Sequence, residues 1–178
     1  MPAYTVETNE VPASCTLEIY GGLEMKSAIQ DMVRQIRGFT LELMSVDNSA
    51  MQLWAPPGTS NHMIWHAGHA LWVQGVLCVE PLTGSNELPE GWAKKFGQDC
   101  DPVASQTEWP QRADVHELLT KQQQRLLELV GAIPDDKLVV NPEDPRDLIG
   151  GIIHGLHDEA RHHGEMYLIF KQFNATIV

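Results

Sequence analysis

The chain has 178 residues, with 24 Asp and Glu against 12 Lys and Arg and a formal net charge of −12. That length suits one domain with one real core, expected over residues 1–178. The acidic balance, with no run of Lys or Arg, argues against a nucleic-acid or anionic-membrane surface. No apolar stretch reaches a membrane span, and Met1–Glu7 carries neither the basic nor the apolar part of a signal peptide, so a cytoplasmic location is expected. Cys15, Cys78 and Cys100 are odd in number and far apart. Without a CxxC they suggest reduced thiols, not a zinc ribbon or a disulfide framework.

Residues 1–20 contain Pro2 and Pro12 and read as an extended N-terminal arm. Thr16–Tyr20 has the composition of a short strand, with no partner strand in the rest of the chain. Gly21-Gly22 is a break, and a helix is predicted from about Leu23 to Ser45. Ile29, Met32, Val33, Ile36, Phe39 and Leu43 recur on it at steps of three and four, as a buried stripe does. Arg34 and Arg37 are expected in solvent.

Pro56-Pro57-Gly58 interrupts the chain, and Thr59-Ser60-Asn61 offers caps for a second helix, about Ser60–Val79. This helix is apolar almost all the way round and should be central. His62, His66 and His69 nevertheless share an arc of about 60°. Three histidines on one stripe of a buried helix suggest that at least one of them binds a metal. Trp65 and Trp72 flank the stripe as core or pocket wall.

Residues 80–112 are rich in Pro and Gly and form a link longer than bundle connections usually are. It should be a crossover or a cover over a site, with a short helix near Glu90–Phe96. A third helix is predicted over about Arg112–Val130, with Val115, Leu119, Leu126 and Leu129 as its stripe and Lys121–Arg125 facing water. The fourth runs from about Pro145 to Asn174. Four of the eight histidines lie in ten of its residues, within the sequence HGLHDEARHH.

A helix advances about 100° per residue, which sorts the polar side chains of the fourth helix. His154, Asp158, His162 and Glu165 share an arc of roughly 80°. Asp158 and His162, one turn apart, can grip the same ion. His157 and His163 are turned too far from His162 to join it. Met166 and Ile169 continue this arc where a solvated face would carry Lys or Glu. Gly150, Gly151 and Gly155 lie upstream at a helix cost of about 1 kcal/mol each relative to Ala, and the missing side chains leave room for a small ligand.

Four long helices with links of unequal length imply an all-α four-helix bundle with a long crossover between helices 2 and 3. Trp65-His66-Ala67-Gly68-His69-Ala70, together with Asp158-x-x-x-His162-x-Gly164-Glu165, resembles the DinB superfamily of YfiT-like metal-binding bundles. Those proteins carry one histidine on helix 2 and His-x-x-x-His followed by Arg-Gly-Gln on helix 4. The resemblance covers nearly the whole chain after residue 20. It assigns His69 and His162 as metal ligands, with His66 in reserve. The first helix 4 position is Asp158 instead of His. A carboxylate there, as Glu, is found in the related mycothiol-dependent maleylpyruvate isomerases. The tail differs as well, reading His163-Gly164-Glu165.

The implied site is therefore His69, Asp158 and His162 around one divalent ion, a set that suits zinc, nickel, iron(II) or manganese and leaves positions open for substrate. His154 and Glu165 are candidates for orienting the ligands or for acid–base work, and Arg161 for holding an anionic group of the substrate. Three functions fit this constellation. One is a transferase or isomerase that uses a low-molecular-weight thiol. The second is a metal-dependent hydrolase, and the third a metal-binding bundle without turnover. The expected partner is a small-molecule substrate, with a second copy of the chain in a homodimer as the only macromolecular one.

Overall fold

A computed structural model describes residues 22–98, 100, 108–138, 143–144 and 147–176. The expected N-terminal arm, the short strand at Thr16–Tyr20 and Pro145 lie outside the described residues. All regular structure among the described residues is helical. In chain order the helices are α1 (Gly22–Ser45), α2 (Ser49–Gln52), α3 (Met63–Gln74), α4 (Glu80–Thr83), α5 (Trp92–Phe96), α6 (Arg112–Ala132) and α7 (Leu148–Thr176). A π-helical turn, Gly75–Val79, joins α3 to α4, and a 3-10 turn, Asp135–Lys137, follows α6. No helix among the described residues is long and apolar enough to cross a membrane.

The four long helices form the bundle. α1 packs against α6 and α7, and α3 against the same two, so α1 and α3 stand diagonally opposite. The second predicted helix starts three residues later than expected. His62, and none of Thr59, Ser60 and Asn61, caps it, with Nδ1 accepting from the Trp65 backbone N–H at 3.2 Å. It is buried on nearly all sides, as its composition requires. The long link after α4 carries α5, which lies on α3 and covers it.

Pro81 accounts for the widened turn at the end of α3. Proline has no N–H for the carbonyl four residues back, so regular α-helical bonding cannot run through it. α7 approaches closely at this point. A Cβ on Gly151 would stand 3.1 Å from the Leu77 carbonyl oxygen, and one on Gly155 would stand 2.8 Å from Cys78 Sγ. These two glycines thus serve helix–helix contact. They do not leave room for a ligand, which corrects the sequence expectation.

A second correction concerns α1. Met32 and Phe39, expected in the buried stripe, are 40% and 47% exposed. The face turned inward carries Ile29, Val33, Arg37, Thr40 and Met44, and Arg37 is only 1% exposed. Its guanidinium donates from Nε to Glu159 Oε1 at 2.6 Å and from Nη2 to Glu159 Oε2 at 3.1 Å. Further bonds run to Gln74 Oε1 (2.8 Å), Gln122 Oε1 (3.0 Å) and the Leu119 carbonyl (2.8 Å). Gln74 also donates to Glu159, and Gln122 to the Leu71 carbonyl. Gln122 belongs to the run expected to face water, yet it is buried. All four long helices therefore contribute to one buried polar knot, with apolar clusters on either side of it.

Removing one partner of a buried ion pair leaves the other charge without compensation and costs about 3–5 kcal/mol. Arg37→Ala should lower the unfolding free energy in urea by that order. Arg34→Ala, which removes an exposed pair with Asp31, should change it by less than about 0.5 kcal/mol. Equal effects of the two substitutions would refute the knot.

Candidate metal centre

The site lies between α3 and α7. Asp158 and Glu159 are adjacent on α7 and so point about 100° apart. Glu159 turns into the bundle to Arg37, which aims Asp158 at α3. One turn on, His162 faces the same way. Asp158 Oδ2 stands 3.5 Å from His162 Nε2 and 3.9 Å from His69 Nε2. One ligand atom from each of the three residues lies within 4.8 Å of the others. Two atoms that each approach one tetrahedral ion to about 2.0–2.2 Å lie roughly 3.3–3.6 Å apart, so the 3.5 and 3.9 Å separations need only a small contraction to share an ion.

The donor set fits a cation on its own chemistry. Asp158 Oδ2 is buried and accepts no hydrogen bond. The two imidazole nitrogens beside it are too distant to serve it as donors. A buried carboxylate oxygen without a partner is costly unless a cation compensates it. A divalent ion shared with the two imidazoles would do so.

Both imidazoles are oriented from behind. His69 Nδ1 donates to the Phe96 carbonyl at 2.6 Å, which leaves Nε2 as a free lone pair. Phe96 belongs to α5, so the covering link supplies this acceptor. Gly68 makes the approach possible, because a Cβ there would collide with the Phe96 ring. The Trp92 indole N–H then ties α5 to the Gly68 carbonyl at 2.9 Å. His162 Nδ1 stands 2.8 Å from His66 Nδ1. For His162 to offer Nε2 as a lone pair, its proton must sit on Nδ1 and be donated to His66. His66 is thereby placed behind His162 and outside the ligand cluster.

Burial keeps His62, His66 and His162 neutral, and neutral imidazole is the form a metal ligand needs. His162 is pushed down to about 4, chiefly by desolvation, with Asp158 opposing and His69 adding to the shift. His66 falls to about 3 through burial and then the neighbouring His162, His62 and His69. His62 falls to about 4 through burial alone. Trp65 stacks on His69 with ring centroids 4.8 Å apart and meets His66 and His162 edge-on.

Two cavities adjoin the cluster. The smaller, about 450 Å³, is lined by all three candidate ligands, with His154, Gln98 and Trp72 among its other walls. The larger, about 700 Å³, reaches His162 and His66 and contains Glu165 but neither Asp158 nor His69. Arg161 and His162 line both cavities. The two acid–base candidates are thus separated, His154 on one side and Glu165 on the other.

A family model, described as the DinB superfamily, matches residues 33–166, a span that includes all three candidate ligands. The chain belongs to the DinB superfamily. No curated protein and no solved structure matches it. Membership agrees with the all-helical bundle and with a His69/Asp158/His162 cluster that could hold a metal ion. Two features of this DinB-superfamily site went unseen in the sequence. A main-chain acceptor such as Phe96 leaves no side-chain signature, although Gly68 inside a helix was a clue to a close approach. The His66–His162 contact depends on how α3 and α7 meet, which helical spacing alone does not give.

The lowered histidines set an acid limit on the metal-free protein. Their folded pKa values lie below the ordinary 6.5, so the unfolded chain binds more protons between about pH 6.5 and 4. The stability they contribute is present above pH 6.5 and is lost as the pH falls through that window. His62→Asn keeps a capping side chain and removes one such group. The midpoint of thermal unfolding should therefore fall less steeply from pH 6.5 to 4 in the variant than in the wild type. A parallel pair of curves would contradict the assignment.

Proposed function

We propose that this protein is a metal-dependent enzyme that brings a low-molecular-weight thiol to a small electrophile, as a transferase or isomerase. The observation that carries this reading is the pair of cavities meeting at Arg161 and His162. Hydrolysis needs one organic substrate and water, for which one cavity suffices. Thiol transfer needs two organic reactants held on either side of one centre, and holding both supplies much of the rate by proximity. The carboxylate at Asp158, shared in kind with the thiol-dependent isomerases, points the same way.

His69, Asp158 and His162 would hold the ion. When bound, a divalent ion supplies Lewis acidity that lowers the pKa of a thiol or a water beside it. The chain's own residues supply the rest. The Phe96 carbonyl and His66 hold the two imidazoles in the orientation that turns Nε2 forward. Trp72, Val73, Val76 and Leu77 give the smaller cavity an apolar wall against which the carbon skeleton of a reactant can pack. His154, in the same cavity, takes or returns a proton on the electrophile. Arg161, at the divide, offers its guanidinium fork to an anionic group.

Metal-loaded protein should join a thiol (glutathione, bacillithiol or mycothiol) to monobromobimane, the new S–C bond replacing C–Br with release of bromide and the thiol proton, and the conjugate is followed by mass spectrometry. His162→Ala should reduce the rate by at least about a hundredfold, the lower end of the scale for losing a group that acts directly at such a site. Ester or amide cleavage that needs no thiol and disappears in His162→Ala would replace this reading with a hydrolase.

A further inference from the structure

Two charged side chains at the larger cavity have no work in the metal centre. Arg161 and Glu165 stand four residues apart on α7, and both line this cavity. That spacing ordinarily allows an arginine and a glutamate to close an ion pair. Glu117 and Lys121 do so on α6, at 2.5 Å. Among the described residues, however, Arg161 and Glu165 form no ion pair or hydrogen bond, with each other or with any other side chain. A lack of partners is not the cause, since Asp158 and Glu165 stand one turn before and one turn after Arg161 on α7. An arginine left open between these carboxylates, with an open glutamate one turn away, presents both signs of charge to one ligand.

The remainder of the cavity narrows the choice. Trp54, Pro56 and Pro57 form one wall after α2, Leu168 and Ile169 continue the α7 side, and Gln172 adds an amide. Leu168 is 47% exposed, a large apolar side chain held at the cavity instead of in the core. A plain dianion would be repelled by Glu165, and a plain cation by Arg161. A neutral polyol would gain from neither. An α-amino acid carries a carboxylate and an ammonium on one carbon, close enough together to meet both side chains. Its carboxylate suits the planar fork of Arg161 and its ammonium suits Glu165.

We propose that the larger cavity binds an α-amino-acid head group, carried by the small thiol of the reaction proposed above. What the head is attached to rests on that two-reactant reading, whereas the head site itself rests on Arg161, Glu165 and the cavity. The chemical class is then cysteine or a peptide thiol with a free α-amino-acid end, not a thiol whose body is a neutral sugar. His66 and His162 line the same cavity, so a head seated on Arg161 and Glu165 leaves the rest of the ligand to run toward the metal centre.

The test uses metal-free protein, so that neither metal nor turnover enters the readout. S-methylglutathione carries the head group and no free thiol; its N-acetylated derivative lacks the ammonium. Each is titrated by calorimetry into wild type, Arg161→Gln and Glu165→Gln. Both positions are exposed, and circular dichroism checks that the variants fold. Wild type should bind S-methylglutathione, and Arg161→Gln should weaken it by roughly tenfold, the scale of one charge-assisted hydrogen bond. Glu165→Gln should weaken it too, while the N-acetyl derivative should bind wild type less well and be indifferent to Glu165→Gln. Equal affinities across all six pairings, or no binding to wild type at millimolar ligand, would overturn the proposal. Arg161-dependent binding without thiol transfer by the metal-loaded enzyme would support the head site and remove only the transferase reading.

Discussion

The geometry of the site depends on the buried pair between Arg37 and Glu159. A guanidinium and a carboxylate in the middle of a bundle are expensive to desolvate, and apolar residues of similar size often give equal stability. What the pair adds is direction. Glu159 keeps all its donors only when α7 presents that residue to Arg37 of α1 and Gln74 of α3 at once. A rotation of α7 by one residue would leave both charges buried and unmatched. Fixing Glu159 in this way fixes Asp158 on one side of it and His162 one turn further on. The polar knot inside the bundle and the candidate metal centre at its edge are therefore two consequences of one helix orientation.

The imidazoles are constrained by a second device. α5 exists as a cover because Gly68 admits the Phe96 ring, and the same contact delivers the Phe96 carbonyl to His69. His66, buried one turn before His69, sets the ring of His162 from the other side. Each imidazole is thus held by a group outside the ligand cluster. Such partners hold the tautomer and orientation that ligation needs. Burial does the rest by keeping His66 and His162 neutral. An acidic chain with an orphaned carboxylate oxygen beside two imidazole nitrogens has the donor set of a cation site.

Much of this was legible in the sequence, because helical periodicity reports faces directly. The four long helices, the burial of the second one and the shared face of Asp158 and His162 all follow from spacing of three and four. Met166 and Ile169 were read as departures from a solvated face, and both are buried. Arg37 was not legible. A charged residue is normally assigned to solvent, and its burial is made tolerable by partners far off in the chain, above all the carboxylate of Glu159, 122 residues away. Gln122 was hidden by the charged run around it for the same reason. Gly151 and Gly155 were recognised as unusual, but their cause is the approach of Leu77 and Cys78 across the interface. Local sequence gives the face of a helix; it does not give what lies opposite that face.

The central claim is that His69, Asp158 and His162 hold one divalent ion. Elemental analysis of protein purified without a histidine tag tests it most directly. The wild type should contain about one metal ion per chain, whichever of zinc, nickel, iron or manganese it proves to be. The His69→Ala/His162→Ala double variant, folded by circular dichroism, should contain none. Stoichiometric metal retained in the double variant, or a wild type that cannot be loaded with any of the four metals, would contradict the account.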